Sequence, residues 1–397
     1  MRQALTAALL GNPNLSAASW DIRAAEARAL QAGLLPNPEL EAEAEEMAGG
    51  GERSGVDAAE VSLVLSQPIE LGGKRAKRVR TARLEGQLVG WDYKAERRGV
   101  LAATAKAFVG LLAAQERVRL TGELVRLSEH TYQNVTEKVR AGKVSKVEGD
   151  KAQVELAMSR IELVRAQHEL TSRRAELAAT WGSRSATFDR VMGQLDGAVH
   201  VPPFEQLIPL LTSHPRAARW PAEVEHREAK LAQERAARVQ DITLSAGVQH
   251  FNEDDGHAFI VGIGVPLPLF DRNQGGIREA ETELAKAHDE RRAAQVELRS
   301  ELVEAYERLT TAHAEATALK QEVLPAAQAA FDAAGEGYRQ GKFGYLDVLD
   351  AQRTLFEARQ KLIDALAAYH EASADVEGLI GQSLESATSP VKQETNQ

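Results

Sequence analysis

Two stretches of this chain, EKVRAGKVSKVEGDKAQVEL at 137–156 and EGYRQGKFGYLDVLDAQRTL at 336–355, are copies of one another. They align without a gap at an offset of 199 residues, and seven of their twenty positions are identical. The offset is about half of the 397 residues, which indicates duplication of one large unit and not a short solenoid repeat. Each copy contains a Gly-Lys pair, which predicts a tight turn between two helices.

The two halves share one order of elements. A short helix (about 15–33 and about 214–238) precedes two alternating segments, a long helix, the Gly-Lys turn and a second long helix. This order divides the chain into a first repeat at 1–181, a linker at 182–203, a second repeat at 204–382 and a polar tail at 383–397. Pro202-Pro203 ends the linker, and the tail is expected to be disordered.

The long helices carry heptad repeats. Large residues recur every seven positions in the second repeat and small ones lie between them: Val348, Leu355, Leu362, Tyr369 and Val376, with Ala351, Ala358, Ala365 and Ala372. Alanine at one seam position lets neighbouring helices approach closely. In the first repeat, a helix from about Gly73 to Val139 would extend roughly 100 Å at about 1.5 Å per residue, far longer than a globular helix.

Four segments alternate with a period of two and are predicted strands: 39–45, 61–66, 242–249 and 259–265. Loops without hydrophobic residues, 49–55 and 252–256, join each pair, and Pro68 and Pro266 are expected at the ends of the second and fourth strands. The pattern suits a transmembrane barrel, provided that the glutamates of the first strand face water, and a soluble sheet packed on helices is the alternative. Open sheet edges are not tolerated in lipid, so a spanning protomer must oligomerise, and three copies are the smallest assembly expected to enclose a lumen.

Composition excludes several classes of protein. Aromatic residues make up 5%, which is typical of long helices, and a net charge of −10 without a basic cluster argues against nucleic acid as a partner. Cysteine is absent, which excludes disulfides and thiolate metal sites. No apolar run is long enough for a transmembrane helix. Residues 1–10 are too short and polar for a secretory signal and are predicted to form an amphipathic helix, so an exported protein would have a signal that is absent from this chain.

The chain resembles the TolC-like outer-membrane factor family over nearly its whole length. The resemblance is carried by the duplicated unit and by four motifs: Leu35-Pro36-Asn37-Pro38, Ser66-Gln67-Pro68-Ile69-Glu70-Leu71-Gly72-Gly73-Lys74-Arg75, Tyr338-Arg339-Gln340-Gly341-Lys342 and Asp347-Val348-Leu349-Asp350-Ala351-Gln352. The Ile-Glu-Leu-Gly-Gly-Lys-Arg junction at 69–75 is most similar to the CzcC-type branch, whose members export heavy metals.

The resemblance implies an α+β membrane protein made of duplicated strand–strand–helix–helix units, which forms a trimeric 12-stranded β-barrel continued by a long coiled-coil α-barrel. It implies a passive efflux duct in the outer membrane that extends into the periplasm. The expected partners are two further copies of the chain, outer-membrane lipid, a periplasmic adaptor protein and an inner-membrane pump of the resistance-nodulation-division type. No catalytic residue, cofactor or resident metal is expected. A periplasmic adaptor and a soluble coiled-coil scaffold are the alternatives, but an adaptor has one helical hairpin inserted among several β-rich domains.

Three carboxylates are the expected lining of the periplasmic constriction. Asp347 and Asp350 match the family's aperture residues and share a helix face at i, i+3, and Glu148 is the counterpart of Asp347 in the first repeat. A plain structural role is the alternative for two of them. Gly344 can cap the helix that has Asp347 in its first turn, and Ser145-Lys146-Val147-Glu148 is a capping-box pattern.

The turns between the paired helices are the expected docking tips for the adaptor. They comprise Arg140, Gly142 and Lys143 in the first repeat and Arg339, Gly341 and Lys342 in the second. The family often has a basic residue in this turn, whereas the second repeat here has Phe343. The glycines are explained equally well by a turn that needs positive φ.

Two further patterns are assigned no function. His250 and His257 flank Glu253, Asp254 and Asp255, a grouping that suits either a metal site or a solvated acidic turn, and the acidic turn is preferred. Gly262-Ile263-Gly264 is followed by Pro266 and has no helix to hold phosphate, so it is not a dinucleotide motif.

Overall fold

The computed structural model describes residues 1–47, 50–51, 56–195 and 201–388, which form long helices and one small sheet. The helices are α1 (Arg2–Gly11), α2 (Pro13–Ala32), α3 (Lys74–Arg140), α4 (Lys146–Ala179), α5 (Phe204–Leu207), α6 (Pro215–Ala218), α7 (Trp220–Ala237), α8 (Gln274–Ala318), α9 (Leu324–Arg339), α10 (Tyr345–Ile380) and α11 (Leu384–Thr388). The strands are β1 (Glu39–Glu45), β2 (Glu60–Ile69), β3 (Ile242–Phe251) and β4 (Gly256–Gly264). The predicted order of two strands and two long helices, repeated once, is confirmed.

The described residues form two compact units, and each sequence repeat contributes to both. The first unit comprises Met1–Ala18, Tyr93–Ala217 and the residues from Gln295 onward, and the second comprises Ser19–Asp92 and Ala218–Ala294. The helices α2, α3, α6 and α8 have residues in both units. The repeats of the sequence are therefore not the compact units of the fold.

The first unit is built on the predicted seam of α10. Leu355, Tyr369 and Val376 are 2%, 2% and 0% exposed, and the alanines between them at 358, 365 and 372 are each 4% exposed. Tyr369 and Val376 share a core cluster with leucines of α5, the 3₁₀ turn that follows it, and α8: Leu207, Leu211, Leu302 and Leu309. The heptad pattern thus identified the buried face correctly, because a seven-residue repeat keeps one stripe on one side of a helix.

The C-terminal tail does not begin where the sequence analysis expected it. Helix α11 starts at Leu384, whose side chain is 4% exposed in the core cluster that also holds Tyr369. The backbone N–H of Leu384 donates a 2.9 Å hydrogen bond to the Glu377 carboxylate. The prediction of disorder is wrong for 384–388, because burial of this leucine and the hydrogen bond offset the cost of ordering the chain. Residues 389–397 of the predicted tail lie outside the described residues.

One long helical stretch of the second repeat is interrupted. A π-helical turn at Leu319–Val323 separates α8 from α9, and Pro325 follows in the first turn of α9. Proline has no N–H to donate, and its ring clashes with the carbonyl of the residue four positions earlier, Gln321. The wider π turn accommodates both effects, which the heptad pattern did not indicate.

The second unit contains a four-stranded antiparallel sheet of order β1-β2-β3-β4. The predicted span 39–45 is β1 itself, whereas β2 reaches Ile69 and includes Pro68, which pairs with Thr243. Pro68 is the penultimate residue of β2, so it lies at the end of the strand as predicted. Because β1 stops opposite Ser66, the β1 side of β2 is unpaired at Pro68, and a proline is tolerated there. Pro266 lies two residues after Gly264, the last residue of β4, and so is also near the strand end as predicted.

The two faces of the sheet differ in polarity. One face carries apolar side chains from all four strands: Leu40, Val61, Leu63, Leu65, Leu244, Val248, Phe259, Val261 and Ile263. Phe259 and Val261 are 89% and 86% exposed, so this face is uncovered in the described chain. The opposite face carries the four glutamates of β1 together with serines and glycines, and its apolar residues include Val64, Phe251 and Ile260. None of the described helices is both long and apolar enough to cross a membrane.

The connecting segments fit the sequence analysis where they are described. Residues 182–195 and 201–203 of the predicted linker contain neither helix nor strand, and 196–200 lie outside the described residues. Of the predicted loop 49–55, only Gly50 and Gly51 are described. The loop between β3 and β4 comprises 252–255, because Gly256 is already part of β4.

Candidate functional site: the helix tips of the first unit

The first tip turn (141–145) joins α3 to α4, and the second tip turn (340–344) joins α9 to α10. Both turns have the hydrogen bonds of a Schellman motif, with glycine in the left-handed conformation. In the first, Lys143 N–H donates to Lys138 C=O at 2.9 Å and Gly142 N–H donates to Val139 C=O at 3.0 Å. In the second, the same two bonds measure 2.8 Å for Lys342 to Gly337 and 3.2 Å for Gly341 to Tyr338. The two tips therefore share both Schellman bonds, and the second tip has an additional bond from Phe343 N–H to Gly337 C=O at 3.3 Å.

Glycine is required at both tips by the backbone. The φ angles of Gly142 and Gly341 are +65° and +73°, a region that side chains with a Cβ rarely occupy. A Cβ built at either position meets no atom within 4 Å, so space does not limit the residue type. The predicted role of these glycines as turn residues is confirmed.

The cationic residues of the tips are available to a partner. The side chains expected to contact an adaptor are all exposed: Arg140, Lys143, Arg339 and Lys342. Phe343, which occupies the position where the family often has a basic residue, is 50% exposed and covers Gly337, where a built Cβ would lie 2.1 Å from its ring. The tips thus present four exposed cationic side chains, of which Arg339 is ion-paired with Glu336, and one exposed aromatic ring.

Asp347 and Asp350 lie exposed on the first two turns of α10. Asp347 accepts a 2.8 Å hydrogen bond from the backbone N–H of Gly344, the residue that precedes the helix. The plain capping role considered for Asp347 is therefore present. This capping bond is compatible with a role at the aperture, because the Asp347 carboxylate is still exposed. Asp350 has no such bond to the helix start among the described contacts and contributes a negative charge close to Arg353.

Glu148, the third expected aperture carboxylate, has a different environment. It lies in the first turn of α4 and is half-buried, and its Oε2 atom is buried without a hydrogen-bond partner among the described residues. The predicted capping box at 145–148 is wrong, because the Ser145 side chain makes no capping hydrogen bond. The backbone N–H of Glu148 donates instead to the Ser145 carbonyl at 3.1 Å.

A tyrosine cluster that the sequence analysis did not identify lies beside Glu148. Tyr338 and Tyr345, with ring centroids 6.3 Å apart, pack with Val135, Ala152 and Leu349 and so join the ends of α3, α4, α9 and α10. The Tyr338 hydroxyl is buried without a hydrogen-bond partner among the described residues. Tyr338 belongs to one of the motifs that carry the family resemblance, and this was the signal available for it.

The cluster has a distinct electrostatic character. Burial, and then the negative charge of Glu148, raises the pKa of Tyr338 above its ordinary value. Burial raises the pKa of Tyr345 to about 12, and the carboxylate of Glu155 acts in the same direction. The Lys138 ammonium lies 3.6 Å from the centroid of the Tyr338 ring, a cation–π contact across the two hairpins. The tips are therefore held together by neutral tyrosines among charged groups.

Comparison with known proteins gives one consistent result. A sequence model of the family described as outer membrane efflux protein matches residues 4–183 and 210–382. The cobalt-zinc-cadmium resistance protein CzcC of Cupriavidus metallidurans is 36% identical over 382 residues, which cover 96% of this chain and 90% of that protein. The nickel and cobalt resistance protein CnrC of the same organism is 30% identical over 284 residues, 69% of this chain and 65% of that protein.

Solved structures have the same fold. The chain is similar to CusC with a TM-score of 0.81 and 20% identity, over 96% of this chain and 92% of that one. It is similar to the outer membrane protein VceC of Vibrio cholerae with a TM-score of 0.78 and 19% identity, over 96% of both chains.

Proposed function

The chain belongs to the outer membrane efflux protein family and is an outer-membrane efflux channel, and we propose that it is the passive outer duct of a tripartite system that exports divalent heavy-metal cations. In this proposal three copies assemble into one channel, and a periplasmic adaptor links it to an inner-membrane pump of the resistance-nodulation-division type. The alternatives of an adaptor or a soluble scaffold are not favoured, because the family match covers both repeats.

The observation that carries the cation proposal is the polarity of β1. Glu39, Glu41, Glu43 and Glu45 alternate with small or apolar residues and share the polar face of the sheet, opposite the apolar face that contains Phe259. If the apolar face contacts lipid, the four carboxylates of each chain line the lumen. A lumen with carboxylates along its wall concentrates cations and repels anions. The 36% identity to a cobalt-zinc-cadmium resistance protein supports the same cargo.

Ion selectivity tests this proposal directly. We expect the wild-type channel in planar bilayers to prefer cations, as measured by the reversal potential in a salt gradient. Glutamine at positions 39, 41, 43 and 45 should weaken the preference, whereas aspartate at the same four positions preserves the charge and should retain it. A glutamine variant with wild-type selectivity would remove β1 from the cation pathway.

A separate experiment tests the cargo. Cells that produce the matching pump and adaptor should lose tolerance to Co²⁺, Zn²⁺ and Cd²⁺ when this chain is deleted, and should regain it when the chain is restored. Unchanged metal tolerance together with new sensitivity to organic toxins would assign organic cargo instead.

The aperture and docking surface belong to the same proposal. Exposure of Asp347 and Asp350 beside the second tip turn supports a ring of carboxylates at the periplasmic opening of the trimer, with Glu148 behind it. The exposed cations at Arg140, Lys143, Arg339 and Lys342 support adaptor docking at the tips. An adaptor surface that meets these tips should therefore be acidic or rich in carbonyl groups.

A further inference from the structure

We propose that His250 and His257 form a binding site for a divalent transition metal at the end of the β3–β4 hairpin. The two histidines are direct partners in the register of the antiparallel strands. Their Nδ1 atoms face each other at 3.1 Å, and the carbonyl oxygen of Gly256 lies 3.2 Å from Nδ1 of His250. Strand pairing thus brings two nitrogens and one oxygen together, from residues seven and six apart in sequence.

The separations match the edges of a metal coordination shell. Ligands about 2.0–2.1 Å from a Zn²⁺ ion are about 3.3 Å apart in a tetrahedron and about 3.0 Å apart in an octahedron. The measured 3.1 Å and 3.2 Å lie between these values. A cation can therefore be held with small side-chain rotations, and water can complete its shell. Imidazole ligands favour Zn²⁺, Ni²⁺ or Cu²⁺ over Mg²⁺ or Ca²⁺.

Asp255 supports the tautomer that a metal needs. For both Nδ1 atoms to bind a cation, the ring hydrogens must be on the Nε2 atoms. The Asp255 Oδ1 atom is 3.8 Å from Nε2 of His250, on the side of the ring opposite His257. This separation is too long for a hydrogen bond, but a rotation of the exposed Asp255 side chain would let its carboxylate accept the Nε2–H and orient the ring, as is common for metal-binding histidines.

The β3–β4 turn is held by hydrogen bonds within itself and to the segment that precedes β2. The Asn252 side-chain amide donates to the Val56 carbonyl at 3.0 Å, and its backbone N–H donates to the Ala59 carbonyl at 3.0 Å. The Gly256 N–H donates to the Asp254 carboxylate at 3.0 Å. These bonds fix the residues between the histidines, so little ordering is needed when a cation binds.

The position on the sheet indicates why two histidines occur there. Both belong to the face that otherwise carries apolar residues such as Val248 and Phe259, and they end that face next to the acidic turn 252–255. A polar pair that interrupts an apolar face needs a partner for its nitrogens. Without metal, one Nδ1–H donates to the other Nδ1, and this hydrogen-bonded pair is the structural alternative that the experiment must exclude.

Metal titration of the purified full-length chain in detergent tests the site without any requirement for export. Calorimetric titration with Zn²⁺ and Ni²⁺ should give one ion per chain, and Ca²⁺ should not bind. His250→Ala or His257→Ala should weaken binding by about 100-fold or more, since loss of even an outer-shell partner costs about 10–100-fold. Asp255→Asn should weaken metal binding by about 10–100-fold, the loss typical of an outer-shell partner. His288→Ala, which removes an exposed histidine of α8, is the matched control and should bind as the wild type does.

His257→Cys separates metal binding from a role in hairpin stability. The chain contains no cysteine, so this variant has a single thiol whose thiolate is a metal ligand but cannot replace the imidazole hydrogen bond. We expect it to bind Co²⁺ with a thiolate-to-metal charge-transfer absorption that His250→Ala in the same background abolishes. Failure of the wild type to bind Zn²⁺ or Ni²⁺, or equal binding by wild type and both alanine variants, would overturn the proposal.

Discussion

Threonine at Gly341 tests whether the second tip turn depends on its left-handed backbone. The φ of Gly341 is +73°, and a Cβ built there meets no atom within 4 Å. The cost of the substitution is therefore backbone strain alone, about 1–3 kcal/mol for a residue held in a sparsely populated region. Because about 1.4 kcal/mol corresponds to a factor of ten, the open turn should become about 5-fold to about 140-fold more populated. Gly142, with φ +65°, should respond in the same way.

Gly344→Thr is the matched control in the same turn. Gly344 has φ −80° and ψ 166° at the N-cap of α10, where threonine and glycine are about equally favourable. The nearest atom to a built Cβ is an Asp347 carboxylate oxygen at 3.6 Å, which is an ordinary contact. The same side chain should therefore be almost neutral at 344 and costly at 341.

Hydrogen exchange measures the difference. The Lys342 N–H is bonded to the Gly337 carbonyl at 2.8 Å, and this bond breaks when the turn opens. In Gly341→Thr, exchange in peptides that cover 336–345 should accelerate by the factor given above, while trimer assembly and the rest of the chain stay unchanged. Export should fall in Gly142→Thr and Gly341→Thr if the tips dock the adaptor. The reasoning is refuted if Gly341→Thr exchanges like the wild type, or if Gly344→Thr exchanges as fast as Gly341→Thr.

Three other perturbations have defined outcomes. Alanine at both Asp347 and Asp350 should reduce cation selectivity and block by multivalent cations at the periplasmic side in bilayer recordings, whereas unchanged conductance with a slightly less stable start of α10 would leave only the capping bond of Asp347. Tyr345 should ionise near pH 12 in a spectrophotometric titration. The contribution of its raised pKa to the free energy of unfolding should be fully present below about pH 10 and lost as the pH rises through about 12. A Tyr345→Phe variant that still shows the last ionisation step would contradict the assignment. The exposed apolar sheet face around Phe259 predicts that the protein needs detergent and has the mass of a trimer, so a stable monomer without detergent would rule out the membrane assembly.

The features that the sequence determined by itself are local or periodic. The Gly-Lys turns, the heptad seam of α10 and the span of β1 were predicted correctly because each depends on neighbours along the chain. A left-handed turn needs glycine, a helix stripe needs a seven-residue repeat, and a strand face needs alternation. The 20-residue repeat predicted the duplication, and the family motifs predicted which kind of unit is duplicated.

The remaining features depend on contacts between residues that are distant in sequence. Glu148 lies beside Tyr338, 190 positions later, because the start of α4 packs near the end of α9, and a motif in either repeat alone cannot show this. The assembly of each compact unit from both repeats and the burial of Leu384 depend on packing in the same way. The sequence alone favours a solvated acidic turn around His250 and His257, whereas the register of the strands places their Nδ1 atoms 3.1 Å apart. Spacing along a chain leaves register open, because a slip of one residue would have turned one imidazole to the opposite face.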